Sequence, residues 1–294
     1  MNAHQQASKT AWLSLIGNLG MAIVKFLVGY FGNAYALIAD AIESTGDVFA
    51  SMLVLLGIKY AQKPPDENHP YGHGKVEPLI TFVVVGFLVV SGTLIIIESI
   101  HNIQTPHKAP HSFTLYFLAA IILVKEGFYR FVDKSSRETG SSSLKADAWH
   151  HRSDAITSAF AFVGILIAVL FGDAYAAADD WAALFASGVI FFNAYLIFRP
   201  ALGEIMDEHR YDDMIAVIRE ISKEVTGVIQ TEKCWVRKSG MRFWVDIHVH
   251  VDGTMSVHEG HTIAHALKER LMRQLPEIED VLVHIEPAEE SNIY

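Results

Sequence analysis

Six apolar stretches follow one another through residues 11–31, 35–58, 76–100, 112–132, 155–171 and 181–198. A bilayer interior takes about 20 residues of helix per crossing, and a helix there satisfies its own backbone hydrogen bonds. The succession predicts six transmembrane helices ending near residue 205. It leaves no room for a soluble fold over the first two thirds of the chain. Composition agrees, with 51% hydrophobic and 19% charged residues, against about 25% charged in an ordinary soluble domain. The segment before the first run, MNAHQQASKT, holds one Lys. The run itself is longer than the roughly 7–15 residues of a signal-peptide core, so this helix is expected to be retained.

Lysine and arginine set the orientation. With the N-terminus in the cytoplasm, the inner segments hold Lys9, then Lys59, Lys63 and Lys75, then Arg130, Lys134, Arg137 and Lys145, then Arg199. The outer segments offer only Lys108. The expectation is a multi-pass protein of the cell (inner) membrane with both termini cytoplasmic. A net charge of −10 argues against a nucleic-acid partner, and the single Cys234 excludes an internal disulfide framework.

Beyond residue 205 the pattern becomes that of a small soluble domain. Met214, Ile218, Ile221 and Val225 form a helical stripe, and Phe243, Val245, Ile247, Val249 and Val251 alternate as a half-buried strand after a turn at Lys238–Ser239–Gly240. Ser256 with Glu259 makes a capping box opening a helix to about Gln274, and residues 281–286 alternate again. The predicted fold class is therefore an all-α six-helix membrane domain over 1–205, followed by an α-β-β-α-β domain of the α+β class over 206–294.

Charges inside the apolar runs carry the chemistry. "ADAIESTGDVFASMLVLLG" places Asp40, Glu43 and Asp47 at helical offsets of three and four, on one face of the second span. "KADAWHHRSD" gives Asp147, His150 and Asp154 the same spacing at the head of the fifth. Intramembrane charge costs at least about 2.5–3.5 kcal/mol per group, so these groups must face a polar cavity, pair, or share a cation. Two carboxylates facing a His and a carboxylate supply a ligand set suited to a divalent metal such as Zn²⁺. The structural alternative is pairing with Lys25, Lys125 or Arg152.

Two further clusters lie outside the spans. In "KPPDENHPYGHGKVEP", residues 63–78, Asp66, His69 and His73 form a plausible open metal site. Alternation sets Asp246, His248 and His250 on the polar face of one strand and His284 with Glu286 on that of the last, while His258, His261 and His265 follow helical spacing. Solvated surface is the ordinary role of such histidines; their convergence from three elements favours metal.

Four stretches together, "ADAIESTGDVFAS", "PPDENHPYGHGKVEPL", "LKADAWHHRSDAITS" and "VDIHVHVDG…HEGHTIAHAL…VLVHIEP", resemble the cation diffusion facilitators, proton-coupled exporters of divalent metals. The resemblance covers nearly the whole chain. It implies a transport site at Glu43, Asp47, His150 and Asp154, and a loop site at Asp66, His69 and His73. It also implies a regulatory, often two-metal, site in a dimerising tail at His248, His261, His284 and Glu286, the last two on the final strand. Two positions depart from the pattern. Glu43 stands where Asp or His is usual, and Glu232 stands where some members carry His, with Cys234 two residues on.

The function expected is secondary transport. Metal binding needs neutral imidazole and ionised carboxylates, so protons compete for the same atoms, and His is the side chain that titrates near neutrality. A divalent cation, Zn²⁺ foremost with Cd²⁺, Fe²⁺, Co²⁺ or Mn²⁺ admissible, would leave the cytoplasm in exchange for protons by alternating access. The partners expected are the metal, protons, the bilayer and a second copy of the chain. A membrane-embedded metal enzyme is the first rival reading, but no HExxH stretch occurs. A sensor without transport is the second, and it leaves the intramembrane carboxylates unexplained.

Overall fold

The computed structural model describes residues 3–31, 35–105, 114–171 and 177–288. It forms two compact units, Met1–Leu202 and Gly203–Tyr294.

The first unit is built from α1 (Ala3–Phe31), α2 (Tyr35–Ala61), α3 (Val76–Gln104), α4 (Thr114–Thr139) and α5 (Ser142–Phe171), with most of α6 (Ala178–Ile205). Only α3 and α6 are apolar enough to qualify as spans on composition alone among the described residues. α4 and α5 carry buried charge at Lys125, Asp133 and Asp147, and α5 runs unbroken through the polar stretch 145–154 into the apolar run that ends at Phe171. A helix keeps its backbone satisfied wherever its side chains find partners, so charge does not end it. Large apolar groups such as Ile16, Val90, Leu94, Leu123 and Phe192 face outward, whereas Ser14, Ser51, Ser143, Ser153 and Ser187 are buried with Ala146 and Ala148. Small and hydroxylated residues inside, bulky ones outside, is the arrangement that lets helices approach closely in lipid.

α4 and α5 form a helical hairpin. Gly140, at φ 70°, ends α4 by donating its N–H to Ser136 O at 2.8 Å; the left-handed conformation is one glycine adopts without cost. Glu77, fully buried at the start of α3, accepts from Ser141 Oγ at 2.7 Å and so ties α3 to the hairpin turn. α6 meets α3 through Phe82 and Phe198, ring centroids 5.3 Å apart, and through Asn102, which donates to Asp180 at 3.1 Å.

The second unit contains α7 (Asp212–Lys223), β1 (Gln230–Ser239), β2 (Arg242–Val251), α8 (Val257–Gln274) and β3 (Ile278–Pro287). β1 and β2 pair antiparallel through a two-residue turn, while β2 and β3 pair parallel, as a crossover through α8 requires. Ile218, Val245, Ile247, Val249, Leu267, Leu271 and Val281 make the core between helices and sheet. Each fully buried Ile or Leu contributes about 1.5–3 kcal/mol. Val225, expected as the last residue of a helical stripe, lies past the end of α7 but still joins this core. The opposite face of the sheet carries His248, His250 and His284.

Candidate metal centres

The intramembrane cluster is assembled by α2, α4 and α5. Asp47 projects from α2, and His150 with Asp154 project one turn apart from α5. His150 Nε2 lies 2.9 Å from Asp47 Oδ1 and 3.8 Å from Asp154 Oδ2. Ligand atoms of the three residues all fall within 4.8 Å of one another. The side chains of Glu43, Asp40 and Lys25 lie outside the described residues; Glu43 itself sits one helical turn before Asp47 on α2. From α4, Lys125 Nζ donates to Asp47 Oδ2 at 2.9 Å and to Asp154 Oδ2 at 2.7 Å. Ligand grouping and ion pairing, opposed as alternatives in the sequence, occur together. Arg152 takes no part: it donates to Tyr129 Oη at 2.6 Å and stacks over that ring.

Asp147 belongs to a different nest. Ser14 Oγ donates to its Oδ2 at 2.7 Å and Ser51 Oγ to its Oδ1 at 3.1 Å, with Asn18 donating to Ser51 at 2.8 Å. His151 Nε2 lies 2.9 Å from Ser14 Oγ. Consecutive histidines on α5 therefore enter separate polar pockets, His150 toward α2 and His151 toward α1.

The loop cluster is preorganised by its backbone. Asp66 Oδ1 accepts from the N–H of His69 at 2.7 Å and of Asn68 at 2.9 Å, and these bonds, the His69 N–H first, hold its carboxyl below the ordinary 3.8. His69 Nδ1 stands 3.1 Å from Asp66 Oδ1 and His73 Nε2 stands 3.4 Å from Oδ2. Buried His73 directs Nδ1 toward the carbonyl of Lys63 at 3.3 Å. A proton on that nitrogen leaves Nε2 with its lone pair toward Asp66, the usual arrangement behind a metal-ligating His.

Three adjacent strands build the tail clusters. In the β2–β3 register His248 pairs with His284 and His250 with Glu286. His248 Nδ1 lies 2.7 Å and His284 Nε2 3.4 Å from Glu286 Oε1. His250 Nε2 lies 3.2 Å from Glu286 Oε2 and 3.5 Å from Glu232 Oε2. Two ligand groups thus share one carboxylate: His248, His284 and Glu286, and Glu232, His250 and Glu286. His250, which the resemblance did not include, is the residue joining Glu232 to the rest. The question of Glu232 or Cys234 is answered by a β-bulge between Thr231 and Cys234. Regular alternation would put residues 232 and 234 on one face; the extra residue turns Glu232 to the polar face while Cys234 stays in the core. Burial pushes the Cys234 thiol up to about 11, in keeping with its place in the core. His261 is not brought into either group among the described residues; it is exposed on α8 with its ring 4.4 Å from that of His265.

Comparison with known proteins gives the same reading. The family description "Cation efflux transmembrane domain" matches residues 11–206, and "Cation efflux protein, cytoplasmic domain" matches 211–288. The chain belongs to the cation diffusion facilitator family. It is thus a membrane-embedded metal transporter with a dimerisation-type C-terminal domain, and not an enzyme. Manganese efflux system protein MneP of Bacillus subtilis is 30% identical over 290 residues, spanning 96% of this chain and 97% of that one. Magnetosome protein MamB of Magnetospirillum gryphiswaldense is 25% identical over 98% of this chain and 96% of its own. A solved MamM C-terminal domain is 25% identical, covering 27% of this chain and all of that structure at a TM-score of 0.27.

Proposed function

We propose that this cation diffusion facilitator exports a divalent cation from the cytoplasm in exchange for protons, with Glu43, Asp47, His150 and Asp154 as its transport site. The observation that carries the reading is the convergence of Asp47, His150 and Asp154, from two membrane helices, on a space where their ligand atoms lie within 4.8 Å. One imidazole with carboxylates suits Zn²⁺ and admits harder ions, including the manganese for which the relative MneP is named. Protonation from the outer side would displace the metal from the imidazole and carboxylates, and rebinding on the cytoplasmic side would displace the protons.

In this reading, residues 1–205 transport and residues 206–294 dimerise and sense metal. The Asp66–His69–His73 loop would collect cations at the cytoplasmic face, with the protein in the inner membrane and both termini inside. The two tail groups, with His261 available to a second copy, would bias the transporter when metal is abundant. Flux in proteoliposomes with a panel of cations tests the whole. An imposed pH gradient should drive metal movement, a proton ionophore should abolish it, and Asp47→Asn or Asp154→Asn should reduce flux to background in folded protein. Flux indifferent to the gradient would mean a facilitated pathway without antiport.

A further inference from the structure

Lys125 is the member of the intramembrane cluster to which the transport-site reading gives no role. Its side chain is 3% exposed, and its ammonium bonds one oxygen of each of the two carboxylates, Asp47 Oδ2 and Asp154 Oδ2. That second oxygen is also the Asp154 atom nearest His150, at 3.8 Å. The ammonium therefore occupies part of the ligand shell that a cation held by Asp47, His150 and Asp154 would need. A divalent ion and an ammonium gathered on the same oxygens repel each other, the more strongly the lower the local dielectric. Lysine is a point charge on a flexible four-carbon stem, so it can leave and return as an arginine fork would not.

We propose that Lys125 is a tethered counter-cation of the transport site: it fills the site when metal is absent and must be expelled for metal to bind. This rests on the transport-site reading above and adds a specificity-determining residue to it. The unloaded site keeps its two carboxylates neutralised by the chain itself, so the empty carrier does not expose bare charges during its return. Metal affinity is correspondingly reduced, because only the fraction of molecules with the ammonium displaced can bind. Weak binding at this point favours release on the far side.

The test is Zn²⁺ titration of the full-length protein in detergent, together with the concentration dependence of flux. Asp47→Asn identifies the transport-site component as the part of the binding isotherm it removes. Lys125→Met should tighten that component about tenfold, by removing the competing occupant, and should lower both KM and maximal flux. Lys125→Arg, which restores the charge with a firmer grip on both carboxylates, should weaken binding. Equal or weaker binding by folded Lys125→Met overturns the proposal and makes Lys125 a structural tie. Should Lys125→Met fail to fold, equal or tighter binding by Lys125→Arg overturns it instead, and weaker binding supports it. If Asp47→Asn removes no component, the transport-site reading itself fails, whatever Lys125 does.

Discussion

Glu286 gives one oxygen to each tail group, Oε1 toward His248 and His284 and Oε2 toward His250. Replacing it by Gln should weaken metal binding at both groups together, by at least about tenfold given what supporting interactions alone contribute to a site. Trp235, its ring 5.6 Å from that of His248, should report the event as a change in indole emission. The hydrogen bond to His248 holds the Glu286 carboxyl below its ordinary 4.5. A carboxyl depressed on folding adds stability that is complete above pH 4.5 and lost as pH falls through its folded value. Acid should therefore act in two stages on the isolated domain. Metal-dependent stabilisation disappears first, as protons compete with the metal for its ligands. The metal-free domain loosens only below about pH 4.5, the ordinary carboxylate range, and Glu286→Gln should flatten that second stage. Thermal melts with and without Zn²⁺ across pH 4–8 follow both. Cys234, buried and with its thiol raised to about 11, should resist alkylation at pH 7.5 in folded protein and react once urea unfolds it.

Among the elements, α8 is the one whose start was written most plainly. Ser256 Oγ accepts from Glu259 N at 3.3 Å, and Glu259 Oε2 accepts from Ser256 N at 2.7 Å, the reciprocal pair expected from the four residues alone. Ser256→Ala should cost about 1 kcal/mol of domain stability. Gly227, between α7 and β1, has φ 96°, and a Cβ there would lie 2.4 Å from Ile263 Cδ1. Gly227→Ala should cost about 1–3 kcal/mol, and urea denaturation of the tail domain measures both changes. Local rules were legible because they concern neighbours in sequence: apolar period, strand alternation, caps. What depended on a second element was not. Lys125 was one of three cations named as partners for the carboxylates, and the packing of α4 against α5 brings it to them while Arg152 goes to Tyr129. The bulge in β1 has no signature in "TEKC", yet it decides whether Glu232 or Cys234 joins the histidines. His250 was one of several polar-face histidines whose convergence favoured metal, and the register of β2 with β3 is what set it against Glu286.

For the whole molecule, the proposed division of labour predicts unequal consequences. Removing a ligand from each tail group, by His248→Ala with His250→Ala, should lower flux at limiting metal without abolishing it, since the proposed transporting atoms are on α2 and α5. Unchanged flux in that variant would remove the tail from regulation. One feature of α5 also constrains how the membrane unit can move. Its consecutive residues His150 and His151 are seated in separate nests, the first against Asp47 of α2 and the second against Ser14 of α1. Asp154 is held from α4 by Lys125, and Ser141, at the turn just before α5, is held to Glu77 of α3. Polar seats on several sides act as a torsional lock. Spinning α5 about its own axis would unseat one histidine whichever way it turned, and would strand buried polar atoms in lipid. If access alternates as proposed, α5 would tilt with its neighbours as a strut, and the metal would travel by a change in which end of the bundle is open.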